Sequence, residues 1–131
     1  MRKSKIILSI ILITICSCDP TNYHDFYIKN SCKDDIEVNI YYREGRANPA
    51  SGKPLITNFV IEPNNNKLVG NESTISSFDY INYYFDSIII KKCDVISNID
   101  YLDYSRWDSK KKSKRHTESY LTVYPEDFED E

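Results

Sequence analysis

Residues 36–43, IEVNIYYR, constrain the fold more than any other segment, because their side chains alternate strictly between two kinds. One set is apolar and the other is mostly polar: Ile36, Val38, Ile40 and Tyr42 against Glu37, Asn39, Tyr41 and Arg43. Successive side chains of a β-strand point to opposite faces. This period of two therefore predicts a strand with one face in a core and the other in water.

Other short segments have the same character. Eleven tyrosines and many isoleucines favour strands, since aromatic and β-branched side chains suit a pleated, half-buried surface. Glycine, proline and asparagine mark a loop at residues 44–53 and a turn at 63–66. We predict further strands at residues 26–30, 55–61, 67–70, 83–92 and 119–124.

Strands at this spacing predict a single β-rich domain over residues 26–125, an all-β, small antiparallel β-sandwich of about six or seven strands. The alternative is an α+β fold with one helix near residues 73–82, where Ile75, Phe78 and Ile81 follow a helical spacing. The isoleucines at 88–90 are apolar on both faces, which predicts a central strand covered on both sides.

The N-terminus has the composition of an export signal. Arg2, Lys3 and Lys5 precede residues 6–15, IILSIILITI. Ten helical residues span about 15 Å, half of a ~30 Å hydrocarbon layer. This segment is therefore too short to cross a bilayer and fits the apolar part of a signal peptide.

The next residues, Ile15-Cys16-Ser17-Cys18, resemble the lipobox of bacterial lipoproteins. The resemblance implies that residues 1–17 are removed and that Cys18 carries a covalent lipid, with no other cofactor expected. Loss of the three signal cations would lower the formal charge from −3 to −6, which argues against nucleic-acid binding. Residues 18–25 are then the lipidated cysteine and a short tether, and residues 126–131 an acidic tail.

The whole chain is similar to short, uncharacterised lipoproteins of Bacteroidetes-type bacteria. The similarity lies in the lipobox, FYIKNSCKDDIEVNIYY, IEPNNNKLV, DSIII and SYLTVYPEDF. It implies a lineage and no activity. We expect a lipid-anchored protein of the cell envelope, most simply at the outer membrane, with its periplasmic or surface face left open. Asp19 beside the anchor resembles retention signals in one bacterial lineage and export signals in another.

Cys32 and Cys93 remain after Cys16 is removed and Cys18 is acylated. Two thiols in an exported protein predict either one disulfide or two free cysteines. Closing a loop of ~60 residues would contribute about 4 kcal/mol. Two cysteines without paired spacing and two histidines do not make a zinc ligand set, so we predict no metal.

Residues 106–116 are predicted to form a basic loop. Its cations are Lys110, Lys111, Lys112, Lys114 and Arg115. Such a run suits contact with an anionic surface, where each cation near a membrane adds about 1 kcal/mol. The alternative is a solvated loop with no partner.

No catalytic residues are predicted. His24 falls on the tether and His116 in the basic loop, so neither is a positioned general base. The aromatic residues are candidates for an interface or for the core: Tyr41, Tyr83, Tyr84, Tyr101, Tyr104 and Trp107.

The sequence therefore favours a non-enzymatic binding or interaction module, held on a membrane by its lipid, with an envelope protein or a glycan as partner. The alternative is an inhibitor or immunity-type lipoprotein that neutralises a toxin or hydrolase. A hydrolase with an unrecognised site is the third hypothesis.

Overall fold

A computed structural model describes residues 21–43, 56–74 and 84–129 of the chain. These ranges form β1 (Asn22–Asn30), β2 (Ile36–Tyr42), β3 (Ile56–Ile61), β4 (Asn66–Thr74), β5 (Phe85–Lys92), β6 (Val95–Ile96), β7 (Trp107–Ser113) and β8 (His116–Val123). Two 3₁₀ turns cover Tyr104–Arg106 and Pro125–Phe128. Sheet A has the strand order β4-β1-β8-β7 and sheet B the order β3-β2-β5-β6. The predicted all-β sandwich is confirmed, with eight strands rather than six or seven.

The prediction of antiparallel strands throughout is wrong for one pair, in sheet A. β1 runs parallel to β8 in one uninterrupted register, from Tyr23 opposite His116 to Asn30 opposite Val123. Strands joined by a hairpin must be antiparallel, whereas nearly the whole domain separates β1 from β8 in sequence. No turn therefore dictates their relative direction.

The core lies between the sheets. Phe26 and Ile28 of sheet A meet Val38, Ile40 and Phe85 of sheet B, and each of these side chains is at most 1% exposed. The Phe26 and Phe85 rings pack edge to face with centroids 5.4 Å apart. Each such side chain stabilises the fold by about 1.5–3 kcal/mol relative to an exposed one. The predicted inward face of β2 is confirmed.

The prediction for residues 88–90 is wrong. Ile88 and Ile90 are buried, but Ile89 is 39% exposed. β5 lies between β2 and β6 within its sheet. Because alternate side chains take opposite faces, Ile89 points away from the core, and no third layer of the described residues covers it.

Three predicted boundaries also need correction. β1 begins at Asn22 rather than at residue 26, so much of the predicted tether belongs to the sheet. Most of the predicted basic loop is strand β7. The predicted acidic tail begins as a 3₁₀ turn whose Asp127 is buried. Its carboxylate accepts a hydrogen bond from the Tyr124 backbone N–H at 3.1 Å, which ties the turn to the end of β8. Of the alternative helix predicted near residues 73–82, residues 73 and 74 belong to strand β4, and residues 75–82 lie outside the described residues.

Asn30, at the end of β1, joins the two sheets through its side chain, which is fully buried. Its Nδ2 donates to the carbonyl of Ile61, the last residue of β3, at 2.9 Å, and to that of Asp34 at 2.8 Å. Its Oδ1 accepts the backbone N–H of Cys32 at 2.8 Å. Every polar atom of this amide therefore has a partner.

The backbone of Asn30 also contacts the turn between β3 and β4. Its N–H donates to the Asn65 carbonyl, and its carbonyl accepts the Asn64 N–H, both at 2.9 Å. Asn64 has a φ of 62°, in the left-handed region that asparagine tolerates. The predicted turn between β3 and β4 is therefore held against the end of β1.

We predict that Asn30→Ala lowers the free energy of unfolding by about 2–4 kcal/mol, because it leaves buried backbone groups without partners. Urea denaturation with an unchanged m value measures this loss. Asn98→Ala, at an exposed position, should change stability by less than about 0.5 kcal/mol. A loss below about 1 kcal/mol for Asn30→Ala would show that the amide does not hold the sheets.

Candidate functional site

The predicted basic residues all lie on the β7–β8 hairpin, but they do not form one patch. Lys110, Lys111 and Lys112 are on the edge strand β7, and Lys114 and Arg115 form its turn. The Lys110 and Lys112 side chains lie on the outer face of sheet A, where the Lys112 Nζ is 3.7 Å from the Glu118 carboxylate. Lys111 points to the opposite face, because β7 is extended. Contact with an anionic surface stays a prediction.

The outer face of sheet A carries a polar cluster, which we define as Asp25, His116, Glu118, Tyr27 and Tyr120. Asp25 lies opposite Glu118 in the parallel register, and His116 is two residues before Glu118 on the same face. The His116 Nε2 is 2.7 Å from the Asp25 Oδ2. The Tyr120 hydroxyl donates to the Glu118 carboxylate.

Three members of the polar cluster have the donor types of a metal site. One donor atom each from Asp25, His116 and Glu118 lies within 4.8 Å of the other two. Imidazole and carboxylate suit several first-row cations. Inside the protein, however, His116 already contacts Asp25, and Lys112 and Tyr120 already contact Glu118. The cluster is therefore a hydrogen-bonded ion network, and no metal function is assigned to it.

The sequence prediction missed this cluster because it placed Asp25 on a tether and His116 in a loop. The available signal was the spacing of His116, Glu118 and Tyr120, which alternates along HTESY. The predicted strand began only at residue 119, so this alternation was cut in two.

The carboxylates of the polar cluster raise the pKa values of its two tyrosines. Their rings stack with centroids 4.9 Å apart. The hydrogen bond to Glu118 raises the pKa of Tyr120 to about 12, because it favours the neutral phenol, and desolvation adds to the effect. Burial, followed by the charges of Asp25 and Glu118, raises the pKa of Tyr27.

We predict that Glu118→Gln lowers the pKa of Tyr120, since the variant removes the negative charge that favours its neutral form and leaves only a weaker, uncharged acceptor. The measurement is a spectrophotometric titration of phenolate absorbance. About one tyrosine equivalent should ionise at lower pH than in the wild type. Glu129→Gln, at an exposed site, is the control and should leave the curve unchanged. Identical curves for both variants would contradict the assignment.

His24 lies on the inner side of sheet A, not on a tether. It is buried, its ring stacks on Phe26, and its Nε2 is 2.6 Å from the Ser119 Oγ. The Ser119 Oγ is in turn 2.7 Å from the Ser109 Oγ. A serine and histidine at this distance resemble a nucleophile and its base, but Ser119 is 0% exposed. The group links β1, β8 and β7 rather than presenting a nucleophile to a substrate.

Of the two alternatives predicted for Cys32 and Cys93, the structure has two free thiols rather than a disulfide. Cys32 is buried with its Sγ 3.9 Å from the Val123 carbonyl, and burial raises the pKa of this thiol. Cys93 and Asp94 form the β5–β6 turn with φ of 49° and 65°, which leaves Cys93 exposed. One thiol therefore faces the core and the other faces solvent.

The predicted aromatic candidates divide between core and surface. Tyr84, Tyr101 and Trp107 are buried, and the Trp107 Nε1 donates to the Tyr101 carbonyl at 2.8 Å. Tyr41 and Tyr104 are exposed, by 36% and 47%. Tyr83 lies outside the described residues. The described aromatic residues therefore do not form a single binding surface, because three of them belong to the core.

The outer face of sheet B carries five exposed apolar side chains. We define the apolar face by its exposed side chains: Ile56 (62%), Val60 (55%), Tyr41 (36%), Ile89 (39%) and Ile96 (61%). The strand registers place them on one side, with Ile56 opposite Tyr41 and Ile96 opposite Lys91. All four strands of the sheet contribute.

The polar groups on the apolar face contact one another. The Asn58 Nδ2 donates to the Asn39 Oδ1 at 2.6 Å and to the Glu37 Oε1 at 3.0 Å. The Lys91 Nζ is 3.9 Å from the same Glu37 oxygen. The Glu37 and Lys91 charges therefore balance across the face. The sequence of β3 does not reveal this face, because both sets of its alternating residues contain apolar side chains.

Among the described residues, no helix is long and apolar enough to span a membrane. Comparison of the chain with known protein-family models, with curated proteins and with solved structures gives no match.

Proposed function

We propose that this chain is a lipid-anchored module of the bacterial cell envelope that binds a protein partner through the apolar face. The observation that carries the proposal is the exposure of four aliphatic side chains and one tyrosine on one side of sheet B. Monomeric soluble proteins rarely expose large contiguous apolar patches, and such patches mark interaction sites.

A protein suits this face better than a glycan does. Sugar rings are bound by stacking on aromatic side chains, and Tyr41 is the one aromatic member of the apolar face. The centres of protein interfaces are depleted in charge. The two charged side chains here, Glu37 and Lys91, lie 3.9 Å apart and neutralise each other. We therefore assign the face a protein partner with an uncharged, apolar surface.

The anchor in this proposal is the lipid on Cys18. The basic n-region, the ten-residue apolar segment and the Ile15-Cys16-Ser17-Cys18 motif support it. Buried methylene groups contribute about 0.8 kcal/mol each, so two or more chains hold a protein firmly.

The fold supports an orientation for the anchored domain. β1 begins four residues after Cys18, so an extended linker spans at most ~14 Å. The Tyr23 N–H donates to the Arg115 carbonyl at 2.7 Å, which places the basic β7–β8 turn beside the start of β1. In the anchored protein Lys114 and Arg115 then face anionic lipid headgroups.

We predict that Cys18→Ala abolishes acylation and firm membrane retention, because the lipid supplies the anchoring free energy. Metabolic labelling with palmitate and membrane fractionation measure both effects. The unacylated Cys18→Ala chain should still associate with anionic vesicles at low salt and lose this association at high salt.

Adding Lys114→Ala and Arg115→Ala should remove the vesicle association that remains. Lys33→Ala, at an exposed position in the β1–β2 turn, is the matched control and should preserve it. Palmitate-labelled Cys18→Ala protein would overturn the anchor, and equal vesicle binding by both sets of variants would overturn the orientation.

A second prediction tests the apolar face in intact cells. A photo-crosslinking amino acid at position 89 or 96 should capture the same protein, whereas one at position 122, on sheet A, should not. The captured protein, once purified, should bind the wild type at least about tenfold more tightly than Ile89→Asp, because the variant would bury a charge at the interface.

Two outcomes would contradict the binding surface. One is capture of the same protein from position 122, which would move the interface to sheet A. The other is equal affinity of the purified protein for the wild type and for Ile89→Asp.

A further inference from the structure

The four strands at the edges of the two sheets differ in how well they are protected against pairing with another chain. An edge strand presents unpaired backbone N–H and C=O groups, and proteins protect such edges with charges, bulges or very short strands. β7 carries Lys110, Lys111 and Lys112, and its register shifts near Lys111. The register of β4 with β1 shifts between Phe26 and Tyr27, and β6 has two residues.

β3 has none of these protections. Its sequence, ITNFVI, contains no charged residue, proline or glycine. It pairs with β2 without a register shift, from Tyr41 opposite Ile56 to Ile36 opposite Ile61. It is the last strand of sheet B, and no strand among the described residues pairs with its other side. Ile56 and Val60 are 62% and 55% exposed.

We propose that β3 pairs edge to edge with β3 of a second copy of this chain, forming a symmetric dimer with one continuous eight-stranded sheet. The Ile61 carbonyl already accepts the Asn30 amide, so we assign the pairing to residues 56–60. Asn58 is the centre of that stretch.

The sequence of β3 is self-complementary about Asn58. In an antiparallel pair centred there, Ile56 lies opposite Val60 of the second copy, and Asn58 opposite its own equivalent. Side chains directly opposite each other share a face of the sheet, so two aliphatic pairs flank one amide pair on the outer face. Thr57 then lies opposite Phe59 on the inner face. A two-fold axis makes both contacts equivalent and closes the assembly at two copies.

Charge favours β3 over the edge strand β7 as the self-pairing strand. Two copies of β3 meet with no charged side chain in residues 56–60. Two copies of β7 would bring three lysines of each chain together, and like charges facing across strands repel. The lysine run singled out by the sequence thus also acts as protection for the edge of sheet A.

The dimer goes beyond the proposed function and does not rest on it. It would join two apolar faces into one surface twice as wide, but its evidence is the edge of β3 rather than any partner. Its tests measure contacts between two copies of this chain, so the dimer and the proposed function can fail separately.

The first test is disulfide cross-linking of the full-length chain in the cells that produce it. Directly opposite residues of an antiparallel pair have Cα atoms about 4.5–5.5 Å apart, which suits a disulfide. Asn58→Cys, in a Cys93→Ser background that removes the exposed native thiol, should give a dimer on a non-reducing gel after mild oxidation. Ile89→Cys in the same background, on the same face but on β5, should stay monomeric. Equal cross-linking of both variants, or none in either, would overturn the dimer.

The second test uses charge pairs that are specific for the register. I56K/V60K places lysines opposite each other across the two-fold axis and should abolish the dimer. I56K/V60E places a lysine opposite a glutamate and should retain it, although both variants alter the same two exposed positions. Sedimentation of the detergent-solubilised full-length protein distinguishes the two states. The same oligomeric state for both variants would overturn the register.

Discussion

The fully bonded amide of Asn30 is the interaction on which the two sheets most depend. It lies at the end of β1 and reaches the last carbonyl of β3, so it joins sheet A to sheet B where the chain crosses between them. A buried amide without partners would cost several kcal/mol, whereas one that is fully satisfied permits only one arrangement of the turns around it.

The strict alternation of side chains then gives the sandwich two different outer faces. On sheet A the parallel register of β1 and β8 brings Asp25, His116 and Glu118 together, and Asp25 contacts His116 while Glu118 contacts Lys112 and Tyr120. On sheet B four aliphatic side chains and one tyrosine are exposed on the outer face, and the charges of Glu37 and Lys91 there contact each other. The first face has its polar groups satisfied within the chain, whereas the second leaves apolar area in water. This difference makes sheet B the better candidate for an interface.

The parallel pairing of β1 and β8 also organises the ends of the molecule. It sets the β7–β8 turn beside the start of β1, so Lys114 and Arg115 lie at the end nearest the proposed anchor. The lysines of β7 project from the edge of the same sheet. The extended backbone therefore divides the basic run. Lys110 and Lys112 lie on the same face as Glu118, and Lys111 lies on the opposite face.

The sequence by itself determined the fold class and the strand β2 with its buried side, because these depend on local periodicity and local composition. It did not determine the start of β1, the strand nature of β7 or the polar cluster, because residues 22–25 and 107–113 are too polar to show an apolar period. Their strand conformation comes from hydrogen bonding to β8, a partner distant in sequence. Likewise, the exposure of Ile56, Ile89 and Ile96 was decided only by tertiary structure. An apolar side chain reads the same in sequence whether or not a second layer covers it, and only the packing of the two sheets fixes which side of each strand faces water.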